Sequence, residues 1–497
     1  MSQLVEDCLR IILAELNNDL NSLYSCILVN RFWCIVGVQI LWKNSYEFLN
    51  HNYMRKHHKS IRNYETLQFS KFCDTIICLL PTSSKQLLIE NDVISPSTHF
   101  LYKPLFNYIS FFSEISTSLI GDMGLALIME VNNSLRYQEK YEMLEQELYK
   151  LFISNCKDIT YFCWSTSLPL HQYPGALTLF SQLHTFGIEC NQNLISEKLF
   201  VIAKICQSIE NLKIWNCDRN IPGLIEFIDN QKNLQSLYLH CKCHEMKCTQ
   251  LIEAIERKAI RLRLIILRGV LLSPKLFLSL INLEYLKVKV ESNLYSKQSV
   301  QELQKYLSIC SFPKLQYLKV QYLPPHGICK LIENSHENIK EISIWDDLMV
   351  NDSVYTKVII NNCPNIESLK INIQLKNLVI IKEIFLNCRK LRKLSLHLYN
   401  CGDDDDVRVI TCNEVLNVLL NYSPETFEEF SFNDEWYFSG KGLQNFFEGW
   451  RGRKPIKFVT LFDDDCYHFT RRHINILKKY CYEGVIDKET RYLYGVK

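Results

Sequence analysis

At 497 residues the chain exceeds one ordinary core and has room for two to four domains of roughly 150 residues each. Apolar residues make up 47% and charged residues 22%, with only 15 glycines and 13 prolines, which excludes disordered, collagen-like and low-complexity classes. Lys and Arg exceed Asp and Glu by 56 to 54, so bulk charge does not advertise a nucleic-acid binder. No run of 18 apolar residues occurs, and Glu6, Asp7 and Arg10 stand where a signal peptide needs apolar residues. A folded protein of the cytoplasm or nucleus is expected, with its 21 cysteines reduced and mostly buried.

In chain order, Leu9, Ile12, Leu13 and Leu16 fall on one helical face, and Leu23, Cys26 and Ile27 on a second. Val29-Asn30-Arg31, Trp33 and Ile40-Leu41-Trp42 follow. Such short helices are unstable alone in water, and they carry more apolar surface than a unit over 1–45 can bury internally. A partner is therefore expected. Residues 46–150 read as a linker or helical region. The basic run Arg55–Lys59 with Arg62 reads as a solvated face. Phe72–Leu80 reads as a helix stopped by Pro81, Phe106/Ile109/Phe111 as an early strand, and Tyr137–Phe152 as a long amphipathic helix.

From 151 to 497 one pattern dominates: apolar, two others, apolar, one other, apolar. It runs twelve times from Ile159/Phe162/Trp164 through Ile209/Leu212/Ile214 and Leu391/Leu394/Leu396 to Ile456/Val459/Leu461, at a mean spacing of 27 residues. The last two apolar positions alternate as a short strand requires, and amphipathic helical stretches such as Leu251–Arg257 lie between them. One strand–helix unit cannot bury its apolar face alone, whereas stacked units can. Cys156, Cys206, Cys363 and Cys388 each precede the first apolar position by three residues, where a small thiol suits a crowded helix-to-strand corner.

Catalytic signatures are sparse. No Walker-type loop, G-x-S-x-G or H-E-x-x-H occurs. His240-Cys241-Lys242-Cys243-His244 with Cys248 has ligand types suited to zinc, but it lacks a second C-x-x-C pair and reads as a polar loop between repeats. The acidic runs Asp403–Asp406 and Asp463–Asp465 lack the glycine-punctuated spacing of a cation loop. No catalytic residue, metal or cofactor is assigned.

Two resemblances follow. The repeat is similar to the longer leucine-rich repeats, best matched by Ile209-Glu-Asn-Leu212-Lys-Ile214-Trp-Asn-Cys217. The first 45 residues resemble an F-box, with Cys26, Leu28, Val29, Asn30, Arg31, Trp33, Leu41 and Trp42 in the family's places. Val5 stands where that family usually has proline, which weakens the helix start. The layout resembles the expanded fungal F-box families. These resemblances imply an α/β fold in which a small helical F-box precedes a solenoid of about twelve degenerate units, strands on the concave side and helices on the convex side. They also imply a substrate-recognition subunit of an SCF-type cullin–RING ubiquitin ligase, docked on a Skp-type adaptor and through it a cullin. Leu4, Val5, Leu9, Ile12, Leu16, Leu23, Val29, Trp33, Leu41 and Trp42 would then contact the adaptor or form the F-box core. A ligase-independent scaffold with a decayed F-box is the alternative, supported by Val5. An enzyme would rest on the 240–248 cluster alone.

Strand alternation assigns the residues that would meet a target. They include Lys213, Trp215, Tyr238, His240, Arg268, Lys287, Lys289, Lys319, Trp345 and Lys370. These positions lack carboxylates, so an acidic or phosphorylated protein segment is the expected ligand, and neither nucleic acid nor membrane is.

Overall fold

The computed structural model describes residues 6–16, 19–43, 67–95, 104–128, 134–190, 196–241, 248–269, 274–290, 301, 304–323, 325–335, 337–345, 352–374, 377–399, 406–433, 436–460 and 470–488. They divide into two compact units, Met1–Leu234 and Gln235–Lys497.

The first unit opens with helices α1 (Glu6–Ala14), α2 (Leu20–Ile27) and α3 (Arg31–Lys43). Side chains just before two of them supply the missing acceptors for helix-start amides. Asp19 accepts from the Ser22 amide at 3.2 Å, and Asn30 accepts from the Trp33 amide at 2.9 Å. Helices at Leu67–Cys78, Thr82–Glu90, Thr117–Leu127 and Ser134–Asn155 follow. The predicted stop at Pro81 is observed, since Pro81 is the N-cap of Thr82–Glu90. The amphipathic stretch 137–152 lies within the 22-residue helix Ser134–Asn155.

The Phe106/Ile109/Phe111 strand is corrected. Tyr108–Phe111 is a 3-10 turn with Ile109 buried, and the first strand, β1 (Glu114–Ile115), lies a few residues later. Local hydrogen bonds from the Ser110 amide to the Asn107 carbonyl and from the Phe112 amide to the Ile109 carbonyl close the turn before the chain can extend. Strands β2 (Tyr161–Trp164), β3 (Thr185–Glu189) and β4 (Asn211–Cys217) then add in parallel. Ile115, Phe162, Phe186 and Leu212 stand in one buried row. Each such side chain stabilises the unit by about 1.5–3 kcal/mol through burial.

The second unit continues with β5 (Ser236–Cys241), β6 (Leu264–Arg268), β7 (Tyr285–Lys289), β8 (Tyr317–Gln321), β9 (Glu341–Trp345), β10 (Ser368–Gln374), β11 (Lys393–Tyr399), β12 (Glu429–Phe432) and β13 (Lys457–Thr460). All are parallel, in chain order. Leu237, Ile265, Leu286, Leu318, Ile342, Leu369, Leu394 and Phe430 form its central buried row. Helices connect successive strands and pack on that face, leaving the other face of the sheet open. This is the leucine-rich-repeat type of α/β solenoid.

The last repeat is shifted by one residue from the expected pattern. Phe458, not Val459, stands opposite Phe430 and is buried. Ile456 is held outside the strand by a parallel bridge to Ile486, accepting from the Asp487 amide and donating to the Val485 carbonyl. The corner cysteines behave as expected. Cys156, Cys206, Cys363 and Cys388 are buried, and burial pushes the Cys206 and Cys363 thiols up to about 12. At the corner before Leu234, Gln231 stands in the cysteine's place. Its amide donates to the Cys206 and Phe227 carbonyls at 2.8 and 2.9 Å and accepts from the Ile209 amide at 3.1 Å.

Candidate functional site

Two surfaces carry the residues that the sequence points to. The N-terminal helices sort their apolar residues into an inside and an outside. Leu9, Leu13, Leu23, Val36 and Ile40 form the core, and Leu16, Cys26, Phe32, Trp33 and Leu41 pack against it. Trp42 is half-buried among aromatic rings, its centroid 4.4 Å from that of Tyr108 and 5.4 Å from that of Phe72. Leu9, Leu16, Leu23, Trp33, Leu41 and Trp42 therefore build or anchor the unit. Ile12 and Val29 instead face solvent. Leu4 and Val5 lie outside the described residues.

The exposed set is larger than sequence reasoning found. Leu28 is 84% exposed, Ile11 67% and Val29 59%, with Ile12, Tyr24 and Ile35 also exposed. Leaving so many large apolar side chains in water within some 25 residues forgoes burial energy that a partner could recover. The helical periodicity could have flagged Ile11, because it lies off the Leu9–Leu13 face.

The open face of the second unit carries most of the expected target-binding residues. Tyr238 and His240 on β5 are half-buried, and Arg268 at the end of β6 is exposed. Lys287 is half-buried on β7 directly opposite Lys319 on β8, and Lys289 stands opposite Arg268. Burial lowers the Lys287 pKa, and the positive charges of Lys319, Arg268 and Lys289 lower it further. Sequence reasoning missed a counter-charge: Glu341, at the start of β9, lies 2.7 Å from the Lys319 ammonium. Lys319 also sits 5.7 Å from the Tyr285 ring centroid. Further along, Lys370 lies 5.1 Å from the Trp345 ring, which meets the buried His397 edge-on at 4.0 Å.

In the first unit, Lys213 lies over the Tyr161 ring at 4.7 Å. Trp215 covers Gly187 so closely that a Cβ there would come within 2.7 Å of the indole. These two residues share the open face of β4.

The 240–248 cluster separates in part. His240 lies on the open face and Cys241 on the buried face of the same strand. Cys248 is the buried N-cap residue of the helix Thr249–Lys258, with its sulfur within 4.8 Å of that of Cys241. Cys243 and His244 lie outside the described residues, as do 403–405, Asp463–Asp465 and the basic run 55–62. No described helix is long and apolar enough to cross a membrane.

No protein-family model matches this chain, and no curated protein matches it in sequence. Among solved structures, three are similar to parts of it at low identity. A crystal structure of the yeast Rad7 and Elc1 complex is 14% identical with a TM-score of 0.39, over 57% of this chain and 72% of that one. The leucine-rich repeat-containing protein LegL7 from Legionella pneumophila is 11% identical with a TM-score of 0.32, over 67% of this chain and 93% of that one. The Drosophila Toll–Spatzle complex is 11% identical with a TM-score of 0.29, over 66% of this chain and 50% of that one.

Proposed function

We propose that this chain is the target-receptor subunit of a cullin–RING ubiquitin ligase of the SCF type. Its N-terminal helices dock on a Skp-type adaptor and its repeats hold a protein target. The chain does no bond chemistry itself. It raises the effective concentration of a target lysine near the ubiquitin thioester. The observation that carries this reading is the exposed set Ile11, Ile12, Tyr24, Leu28, Val29 and Ile35 on a unit whose own core is already filled. Burying a leucine as exposed as Leu28 is worth about 1.5–3 kcal/mol, and several together give a tight interface.

The test is co-expression with the adaptor. Co-elution as a stable complex is expected, with loss of capture in a Leu28→Glu/Val29→Glu variant that melts like wild type. Wild-type protein that leaves the adaptor free at micromolar concentrations refutes the reading and favours a ligase-independent scaffold.

A further inference from the structure

On β6, β7 and β8 the outward residues form three columns across the strands. The first is Leu264, Tyr285 and Tyr317, the second Ile266, Lys287 and Lys319, and the third Arg268, Lys289 and Gln321. Neighbouring strands lie about 4.8 Å apart and successive columns roughly 7 Å apart. The Tyr285 and Tyr317 rings tilt together with centroids 5.8 Å apart. The next two columns are basic, with Lys287 opposite Lys319 and Arg268 opposite Lys289. Like charges directly opposite on adjacent strands destabilise a sheet. Glu341 offsets Lys319, but no carboxylate among the described residues lies within ion-pair distance of Arg268, Lys287 or Lys289.

We propose that this patch docks an extended, unmodified acidic segment of a protein target, with two acids at alternate positions and an apolar or aromatic residue at the next alternate position. The inference rests on the receptor reading above and specifies its ligand. Same-side residues of an extended segment repeat at about 7 Å, the spacing of the columns. One carboxylate would sit between Lys287 and Lys319, the next between Arg268 and Lys289, and the apolar side chain would lie on the tyrosine pair. A single phosphoryl group spans only one basic column and leaves the other uncompensated. A nucleic-acid backbone needs a longer unbroken basic track, whereas Gln321 follows Lys289 in one column and Ser343 separates Lys319 from Lys370 in the other.

The experiment measures anisotropy of a fluorescent peptide, Gly-Phe-Ser-Glu-Ser-Glu-Gly, and its reversed sequence against the full-length chain. The controls carry Gln for Glu, or phosphoserine flanked by Gln. One Glu peptide is expected to bind at least about tenfold more tightly than its Gln counterpart. Lys287→Glu/Lys289→Glu should abolish that preference, and Lys287→Arg/Lys289→Arg should keep it. Equal affinity for Glu and Gln peptides, binding by the phosphoserine peptide alone, or an unchanged preference in the charge-reversed variant each overturns the inference. Adaptor capture is measured on the same preparations, so failure here with capture intact leaves the receptor reading standing.

Discussion

Glu145 gives the most quantitative test of the packing in the first unit. It lies on the helix Ser134–Asn155, buried, and accepts from the Thr166 hydroxyl at 2.9 Å. Thr166 is fixed in turn, accepting from the Leu168 amide through its hydroxyl and from the Trp164 indole through its carbonyl. Burial raises the Glu145 pKa from 4.5 to about 7; the Thr166 hydrogen bond opposes that rise and the charge of Glu142 adds to it. Burial is the main cause of the raised pKa values of Tyr141, Tyr149 and Tyr173, and the charge of Glu145 adds to each. Each tenfold change in proton affinity is worth about 1.4 kcal/mol, so the rise corresponds to roughly 3 kcal/mol. The sign follows from a folded pKa above the unfolded one. The contribution is fully present below pH 4.5, falls away as pH rises towards 7, and stays lost above it. Glu145→Gln keeps an acceptor for Thr166 and removes the charge. At pH 8 it should therefore stabilise this unit by about 3 kcal/mol, or roughly 6–12 °C in melting temperature, with no gain at pH 4.5. Thermal melts followed by circular dichroism from pH 4.5 to 8 measure this. A variant whose advantage over wild type does not grow with pH would refute the assignment of Glu145 as a carboxyl kept neutral by burial.

Gln231→Ala strands the buried Ile209 amide and should cost about 1–3 kcal/mol in urea unfolding for that donor alone; a loss below about 0.5 kcal/mol would mean water replaces the amide. Gly187→Ala drives a Cβ into Trp215 and should cost roughly 1–3 kcal/mol, with a shift in tryptophan emission as the indole moves. Unchanged emission would show that Trp215 does not lie over that strand. Brief iodoacetamide labelling of the native chain at pH 8 should modify the exposed Cys8 and spare Cys206 and Cys363, whose burial both blocks access and suppresses the thiolate. Mass spectrometry reads the outcome, and early labelling at Cys206 would contradict the corner packing.

The repeats were legible because a strand's side-chain period is two and a one-residue slip moves its apolar set to the wrong face. Eleven of the twelve predicted units keep the expected register. The exception, at β13, depends on a partner the local pattern does not contain: the Ile456–Ile486 bridge comes from thirty residues downstream. The early strand was misread for a related reason. Apolar spacing at 106–111 marks burial, which Ile109 has, but local turn hydrogen bonds decide how its backbone runs. In the N-terminal helices the residue types were legible while their roles were not. Leu9 and Ile12 are equivalent to a periodicity count, yet one is core and the other faces water, because packing against α2 and α3 decides between them.

The open face shows the same limit in its charges. Alternation placed Lys287, Lys289 and Lys319 on one surface correctly, because that depends only on strand geometry. It did not show that Lys319 is offset by Glu341, since the carboxylate sits one column away on the next strand. The consequence is functional. A lysine already paired must give up part of its ion pair to meet a ligand, so Lys319 should contribute less to target capture than Lys287 or Lys289. Lys319→Ala should weaken Glu-peptide binding less than Lys287→Ala, and Glu341→Gln, which frees the Lys319 ammonium, should strengthen it. Anisotropy titrations of the three variants at low and high salt decide the matter. A Lys319→Ala loss equal to or larger than that of Lys287→Ala would place the acidic segment over β8 and β9, and would show that the Glu341 ion pair does not limit what Lys319 contributes.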